Sequence, residues 1–184
     1  FSGTPERPDF VIGGLFFGIA FAAWNGLRDS LPFLLAALLH EGGHLLACHL
    51  LGVPIRFFRP TVAGAVIGYD PSAVSYTREA MIAAAGPLSN LAGFLLCFPG
   101  TCSRGRALFG IACLSLALFN LLPIRRLDGG VILYDLLTSV MDPWRSGPIV
   151  ETVSLVCTVC LWMCAAAVQI RCGGNLSVFL ISVY

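Results

Sequence analysis

One stretch constrains the fold more than any other, residues 31–51, with the sequence LPFLLAALLHEGGHLLACHLL. It has the length and apolar character of a bilayer-spanning helix, which needs about 20 mainly apolar residues. Near its middle stand three ionisable side chains, His40, Glu41 and His44. Ionisable groups are costly in apolar surroundings unless a partner compensates them. The stretch therefore predicts a membrane helix whose ionisable side chains share a partner.

The composition of the whole chain favours the same environment. Of its 184 residues, 57% are hydrophobic and 11% are charged, and the mean hydropathy is +0.85. Soluble domains carry about 25% charged residues, so this chain has too few charges to cover a surface that faces water. The net charge of +1 gives no indication of a nucleic-acid partner. We expect an integral membrane protein that contacts the lipid bilayer.

The apolar residues fall into about six hydrophobic segments, and we expect an all-α polytopic membrane protein of one domain over residues 1–184. The segments are 10–27, 31–51, 79–98, 107–122, 129–141 and 149–170. The last segment carries Cys157, Cys160 and Cys164 on one helical face. Packing as small apolar side chains is the simpler interpretation of these cysteines, and a metal or redox role is the alternative.

Residues 53–76 have a different character from the apolar segments. Val, Ile, Phe and Tyr gather around PTVAG, with Pro60 and Gly64 as turn residues, which predicts a short β-hairpin after the second segment. A plain connecting loop is the alternative. Strands beside the helix of residues 31–51 would offer an edge to an extended peptide.

The five residues HEGGH match the pattern H-E-x-x-H. Residues four apart share one helical face, so His40 and His44 can bind one metal ion, and Glu41 can reach a water molecule beside it. In zinc proteases with this pattern the two histidines hold Zn²⁺ and the glutamate is the general base. Two packed histidines and a solvent-reaching glutamate are the alternative, which a membrane helix disfavours.

A catalytic zinc site needs a third protein ligand and an open position. His49 is rotated away from the face of the other two histidines. Asp128 is the strongest candidate, because Pro123 and the pair 129–130 break the helix around it, and broken helices occur in membranes where they line polar cavities. Asp135 is second, although a surface position is its simpler interpretation. The carboxylates in apolar settings are Glu79, Asp128, Asp135 and Glu151.

Two asparagines accompany these groups. The stretch AGPLSN places Gly86 and Pro87 inside the third segment with Asn90 one turn later, and Asn120 begins the helix break. A side-chain amide can donate to a substrate carbonyl or to a developing oxyanion. Hydrogen bonding between helices is an equally good interpretation of both asparagines.

HEGGH, AGPLSN and NLLPIRRLDGG, in this order on successive segments, resemble the site-2 protease family of intramembrane zinc metalloproteases. Residues between these motifs are most similar to the compact sporulation-type branch. The resemblance implies a core of three helices within residues 31–141 and one Zn²⁺ per chain. It also implies site residues: His40, His44 and Asp128 as zinc ligands, Glu41 as base, and Asn90, Asn120, Gly86 and Pro87 near the substrate.

The resemblance further implies an endopeptidase that cleaves a membrane-associated protein in or near its membrane segment, such as a regulatory precursor, and it suggests a membrane regulatory partner. We expect no PDZ or CBS module within residues 1–184. The family often has a second proline before LDG, where this chain has Arg125 and Arg126. The alternative function is a metal-binding membrane protein without protease activity, as a scaffold, sensor or transporter.

The arginine distribution predicts an orientation under the positive-inside tendency. With the N-terminus in the cytoplasm of a bacterial cell, more arginines lie on the cytoplasmic side, and the resemblance places the active site toward that face. The cytoplasmic arginines would be Arg7, Arg56, Arg59, Arg78, Arg125 and Arg126, against Arg28, Arg104 and Arg106 on the other side.

Overall fold

The structure is a computed structural model that describes residues 27–61, 64–69, 74–97 and 103–172. The described part contains five helices and two strands. They are α1 (Leu27–Leu50), β1 (Ile55–Thr61), β2 (Gly64–Tyr69), α2 (Tyr76–Cys97), α3 (Arg104–Asn120), α4 (Asp128–Val140) and α5 (Pro143–Cys172). The predicted segment 10–27 lies outside the described residues apart from its last position, so the count of six segments stays a prediction.

Three helices have the length and apolar character needed to cross a membrane. The candidate spans are Ser30–Leu50 in α1, Tyr76–Cys97 in α2 and Pro143–Cys164 in α5. At 1.5 Å rise per residue, spans of 21 or 22 residues reach about 30 Å, the thickness of the hydrocarbon core. Large apolar side chains such as Leu38 and Leu96 stand exposed on these helices. They suit a lipid environment, as in an integral membrane protein.

The predicted segments 107–122 and 129–141 are helical but shorter. They correspond to α3, with 17 residues, and α4, with 13 residues. At 1.5 Å per residue they are about 26 Å and about 20 Å long, which is shorter than the hydrocarbon core of about 30 Å. Both therefore belong to the bundle without meeting the length of a membrane span.

Helix α1 ends in a Schellman motif. Gly52 adopts a left-handed backbone with φ of 66°. Its N–H donates to the carbonyl of His49 at 3.2 Å, and the N–H of Val53 donates to that of Cys48 at 2.9 Å. Val53 and Cys48 are both buried and pack together, which is the apolar contact that accompanies this motif. The motif stops the helix and turns the chain into the first strand.

The segment for which the sequence predicts a β-hairpin carries two antiparallel strands. In the register, Phe58 faces Ile67 and Thr61 faces Gly64, with an irregularity between Ile55 and Phe57. The two residues between the strands, 62–63, lie outside the described ranges. The chain enters the sheet from the end of α1 and leaves it toward α2, so the strands attach at that end of the bundle.

Helices α1, α2 and α3 pack against one another, α4 packs against α2, and α5 packs against α4. The contacts rely on small residues, as in many membrane bundles. A Cβ added to Gly43 would lie 2.6 Å from the carbonyl oxygen of Ala85, so α1 and α2 touch through their backbones. This close approach brings the HEGGH turn of α1 directly against the AGPLSN turn of α2.

Candidate metal centre

Three potential ligand atoms converge between α1 and α4. His40 and His44 lie one turn apart on α1, and Asp128 is the first residue of α4. Nε2 of His40 lies 3.2 Å from Nε2 of His44 and 3.1 Å from Oδ2 of Asp128, and Nε2 of His44 lies 3.5 Å from the same oxygen. Among the described residues this is the group of side chains that can hold a metal ion.

The spacing of these atoms fits a zinc site. Zinc binds histidine nitrogen and carboxylate oxygen at about 2.0–2.2 Å in tetrahedral geometry, which places neighbouring ligand atoms about 3.3–3.6 Å apart. The observed separations of 3.1 to 3.5 Å lie at or slightly below that range. Oδ2 of Asp128 is buried and accepts no well-aligned hydrogen bond from the described residues. Three electron-pair donors facing one another in a largely buried place suit a cation bound between them.

A backbone carbonyl orients the ring of His44. Nδ1–H of His44 donates to the carbonyl oxygen of Ile82 on α2 at 2.8 Å. The proton is thereby held on Nδ1, and Nε2 keeps its lone pair for a metal. Sequence reasoning did not identify Ile82, because a backbone acceptor leaves no signal in the residue types.

Asn90 performs the corresponding role beside His40. Its Nδ2 lies 3.1 Å from Nδ1 of His40, the side chain is fully buried, and its Oδ1 has no hydrogen-bond partner among the described residues. When Nε2 of His40 binds a metal, Nδ1 carries the ring proton. If the side-chain amide is rotated by about 180°, Oδ1 accepts a hydrogen bond from that N–H, which also gives the buried oxygen a partner. The structure thus places Asn90 beside His40, one of the three residues that could hold a metal ion.

Gly86 lies against both imidazole rings. A Cβ at this position would overlap Nε2 and Cε1 of His44 and would come within 2.9 Å of Cε1 of His40. The absence of a side chain is therefore a steric requirement of the site. Pro87 is buried next to it, and the hydroxyl of Ser89 lies between the carbonyl oxygens of Leu39 and Gly86, at 2.9 and 2.7 Å.

The helix break predicted before Asp128 is present. Between α3 and α4 the chain forms a compact turn that contains Pro123. A Cβ on Gly129 would overlap the carbonyl of Leu121, and one on Gly130 would overlap that of Ile124, so both glycines permit the turn to pack on the start of α4. Asp128 consequently stands at a helix N-terminus, where the helix dipole stabilises a negative charge.

Glu41 is next to the ligands in sequence and in space. It follows His40 on α1, is partly exposed, and interacts electrostatically with His44. A carboxylate beside the ligand group, with access to solvent, suits a proton acceptor better than a fourth ligand.

The other candidate carboxylates do not join the ligand group. Glu151 forms an ion pair with Arg125, whose backbone N–H donates to Ser154 at 3.1 Å. These contacts attach the turn that contains Arg125 and Arg126 to α5. The surface position expected for Asp135 is wrong, because the residue is 2% exposed. The side chain is inward-facing because α4 presents it to α2.

Asn120, a predicted substrate residue, and His49, expected off the shared face, do not belong to the group that could hold a metal ion. Asn120 donates its amide to the carbonyl oxygen of Leu116 in its own helix at 3.0 Å. His49 is exposed in the last turn of α1. The metal group therefore has two histidines and one aspartate among the described side chains.

Comparison with solved structures gives a match over almost the whole chain. A site-2 protease from Methanocaldococcus jannaschii aligns with 94% of this chain and 82% of its own, with a TM-score of 0.68 and 20% sequence identity. The chain has the site-2 protease fold. A Synechocystis sp. protein named as a putative zinc metalloprotease is 27% identical over an alignment of 137 residues, and the match covers 69% of this chain.

The match to the Synechocystis protein covers 36% of that relative, so this chain spans about a third of its length. No protein-family model matches the chain. The two matches and the ligand group together support the site-2 protease family that the motifs indicated.

Proposed function

We propose that the chain is a zinc-dependent intramembrane endopeptidase. The observation that carries this proposal is the convergence of His40, His44 and Asp128, at the spacing of zinc ligands, inside a bundle of membrane-length helices. The names of both matched proteins support a protease.

The donor set favours zinc over harder cations. Two imidazole nitrogens and one carboxylate oxygen are the ligand set of many catalytic zinc sites, whereas magnesium and calcium prefer oxygen ligands alone. Zinc held by these three residues would supply a Lewis acid that makes water acidic near neutral pH and polarises a carbonyl group. Ile82 and Asn90 keep both rings oriented for that ligand role.

Glu41 is the general base and acid of the proposed mechanism. Its carboxylate accepts a proton from the attacking water and returns it to the leaving amine as the peptide bond breaks. Its position beside His40 and its access to solvent permit both transfers. The amide of Asn120, turned away from Leu116, is the donor that we assign to the substrate.

The substrate class is a membrane-associated protein cut in or near its membrane segment. A helical substrate shields its amides, so the segment must be extended before hydrolysis, and the strands β1 and β2 would offer an edge for that conformation. The bacterial cytoplasmic membrane, the cytoplasmic N-terminus and active site, and a membrane regulatory partner stay predictions from the sequence.

One experiment separates this function from a silent scaffold, a sensor or a transporter. Full-length protein in proteoliposomes would be incubated with a panel of single-span peptides, and products would be identified by mass spectrometry. We expect discrete cuts by wild type that are lost with a chelator and restored by zinc. Glu41→Gln should keep the metal and reduce turnover by about 10²–10⁴-fold. Equal product from both proteins would contradict the assignment of Glu41.

A further inference from the structure

Asp135 is a buried carboxylate that the metal centre does not use. It is 2% exposed, and its Oδ2 has no hydrogen-bond partner among the described residues. Another acid, Glu79 of α2, acts on it electrostatically. The buried Oδ2 of Asp135, which lacks a hydrogen-bond partner among the described residues and lies between two helices, forms a place for a positive group.

A cavity of about 220 Å³ opens beside this carboxylate. Asp135 and Ser139 of α4 line one side of it, and Tyr76, Thr77 and Ala80 of α2 line the other. Most of the wall is apolar, with the exposed Tyr76, Thr77 and Ser139 supplying hydroxyl groups. Such a wall suits a long side chain with an apolar stem and a charged end.

The cavity lies between the metal centre and the end of the bundle that bears the strands. Asp135 follows Asp128 by seven residues on α4, which is about 10 Å along the helix axis. The opposite wall begins at Tyr76, the first residue of α2 after the strands. An extended peptide advances about 3.3 Å per residue, so 10 Å corresponds to about three residues.

We propose that this cavity binds a basic side chain of the polypeptide substrate, about three residues from the bond that is cleaved. The carboxylate of Asp135 receives the charged end, and the apolar walls from α2 and α4 pack on the stem. The pocket thus selects where along its substrate the enzyme cuts. This inference rests on the proposed protease function.

The test uses full-length protein and one substrate whose cut by wild type has been mapped. A matched set carries a single arginine or its neutral isostere citrulline at each of the five positions on either side of the cut. We expect kcat/KM to favour arginine by about 10-fold or more at one position two to four residues from the cut. In Asp135→Asn the ratio at that position should fall toward about 1.

Two further variants keep the test decisive. Ser139→Ala changes the same wall but not its charge, since a hydroxyl is neutral. The Ser139 hydroxyl donates to the carbonyl oxygen of Leu136, so we expect this variant to keep the arginine preference. Glu79→Gln should lower the preference for arginine, because it removes a negative charge that acts on Asp135. If Asp135→Asn does not fold, the result with Glu79→Gln tests the proposal instead. The proposal is overturned if cleavage proceeds with no arginine preference, or if the preference survives Asp135→Asn or Glu79→Gln. If no peptide can be found that wild type cleaves, so that no cut can be mapped, the proposed protease function itself fails, which is a different outcome from cleavage without an arginine preference.

Discussion

Helix α4 carries two aspartates that are seven residues apart and have opposite surroundings. Asp128, at its N-terminus, faces two imidazole nitrogens at 3.1 and 3.5 Å. Asp135, two turns later, is more deeply buried and faces an apolar cavity and a second acid. The first carboxylate faces two histidines of the same chain, and together these three residues could hold one cation. Oδ2 of the second has no hydrogen-bond partner among the described residues, and we propose that a basic side chain of the substrate supplies one.

The surroundings that α2 provides also differ between Asp128 and Asp135. Around Asp128, α2 contributes a carbonyl, an amide and a glycine that hold the histidine rings in position. Around Asp135, α2 contributes mostly apolar cavity wall, with Ala80, Met81 and Ala84 leaving space. A metal centre requires fixed donors, whereas a subsite for variable substrates requires volume and one charge.

Among the variants that test the difference between the fixed metal site and the open cavity, we expect the largest effect, a loss of metal affinity, at Gly86. Gly86→Ala would push a methyl group into both imidazole rings, and we expect metal affinity to fall by about 100-fold or more. Gly42→Ala is the matched control, since a Cβ there meets nothing within 4 Å, and it should keep metal affinity. Competition with a fluorescent zinc chelator measures both. Normal affinity in Gly86→Ala would contradict the packing of the rings on α2.

A smaller effect is expected from the amide that supports His40. Asn90→Ala should lower metal affinity by about 10–100-fold, the usual cost of removing a partner of a metal-bound histidine. Asn120→Ala is the control, because its amide contacts its own helix and should leave metal affinity unchanged. Cobalt substitution gives a second readout, since its visible spectrum reports the geometry of the ligands. Equal affinity in the two variants would assign Asn90 to the substrate alone.

The smallest effect concerns stability and distinguishes the two aspartates directly. Asp135→Leu replaces an unpaired buried carboxylate beside a cavity that has room for the side chain. We expect the free energy of unfolding of the substrate-free protein to rise by about 1–3 kcal/mol. Unfolding in detergent with increasing denaturant measures this change. A loss of stability of similar size would show that Asp135 has a structural partner.

The group of His40, His44 and Asp128 that could hold a metal ion was predictable from the sequence, because each residue belongs to a local pattern. His40 and His44 are spaced by one helical turn. Asp128 stands at a helix break that Pro123 and the glycine pair 129–130 predict. The strands followed from clustered β-branched and aromatic residues. In each case the pattern that identifies the residues is local in the chain, so residue types and spacing carry the information, although the contact between the histidines and Asp128 joins distant segments.

The parts that sequence reasoning missed depend on packing between distant segments. The burial of Asp135 results from α4 lying on α2, and the support of His44 comes from a backbone carbonyl. Likewise the pairing of Glu151 with Arg125 joins residues 26 positions apart. Single-sequence patterns do not encode which faces meet, so these features required the structure.

The central claim is that Asp128, and not Asp135, completes the metal centre. Zinc per chain, measured by elemental analysis of detergent-purified wild type, Asp128→Ala and Asp135→Ala, tests it most directly. We predict about one zinc in wild type and Asp135→Ala, and a sharp fall in Asp128→Ala. A full complement of zinc in Asp128→Ala, or its loss in a folded Asp135→Ala, would contradict the account.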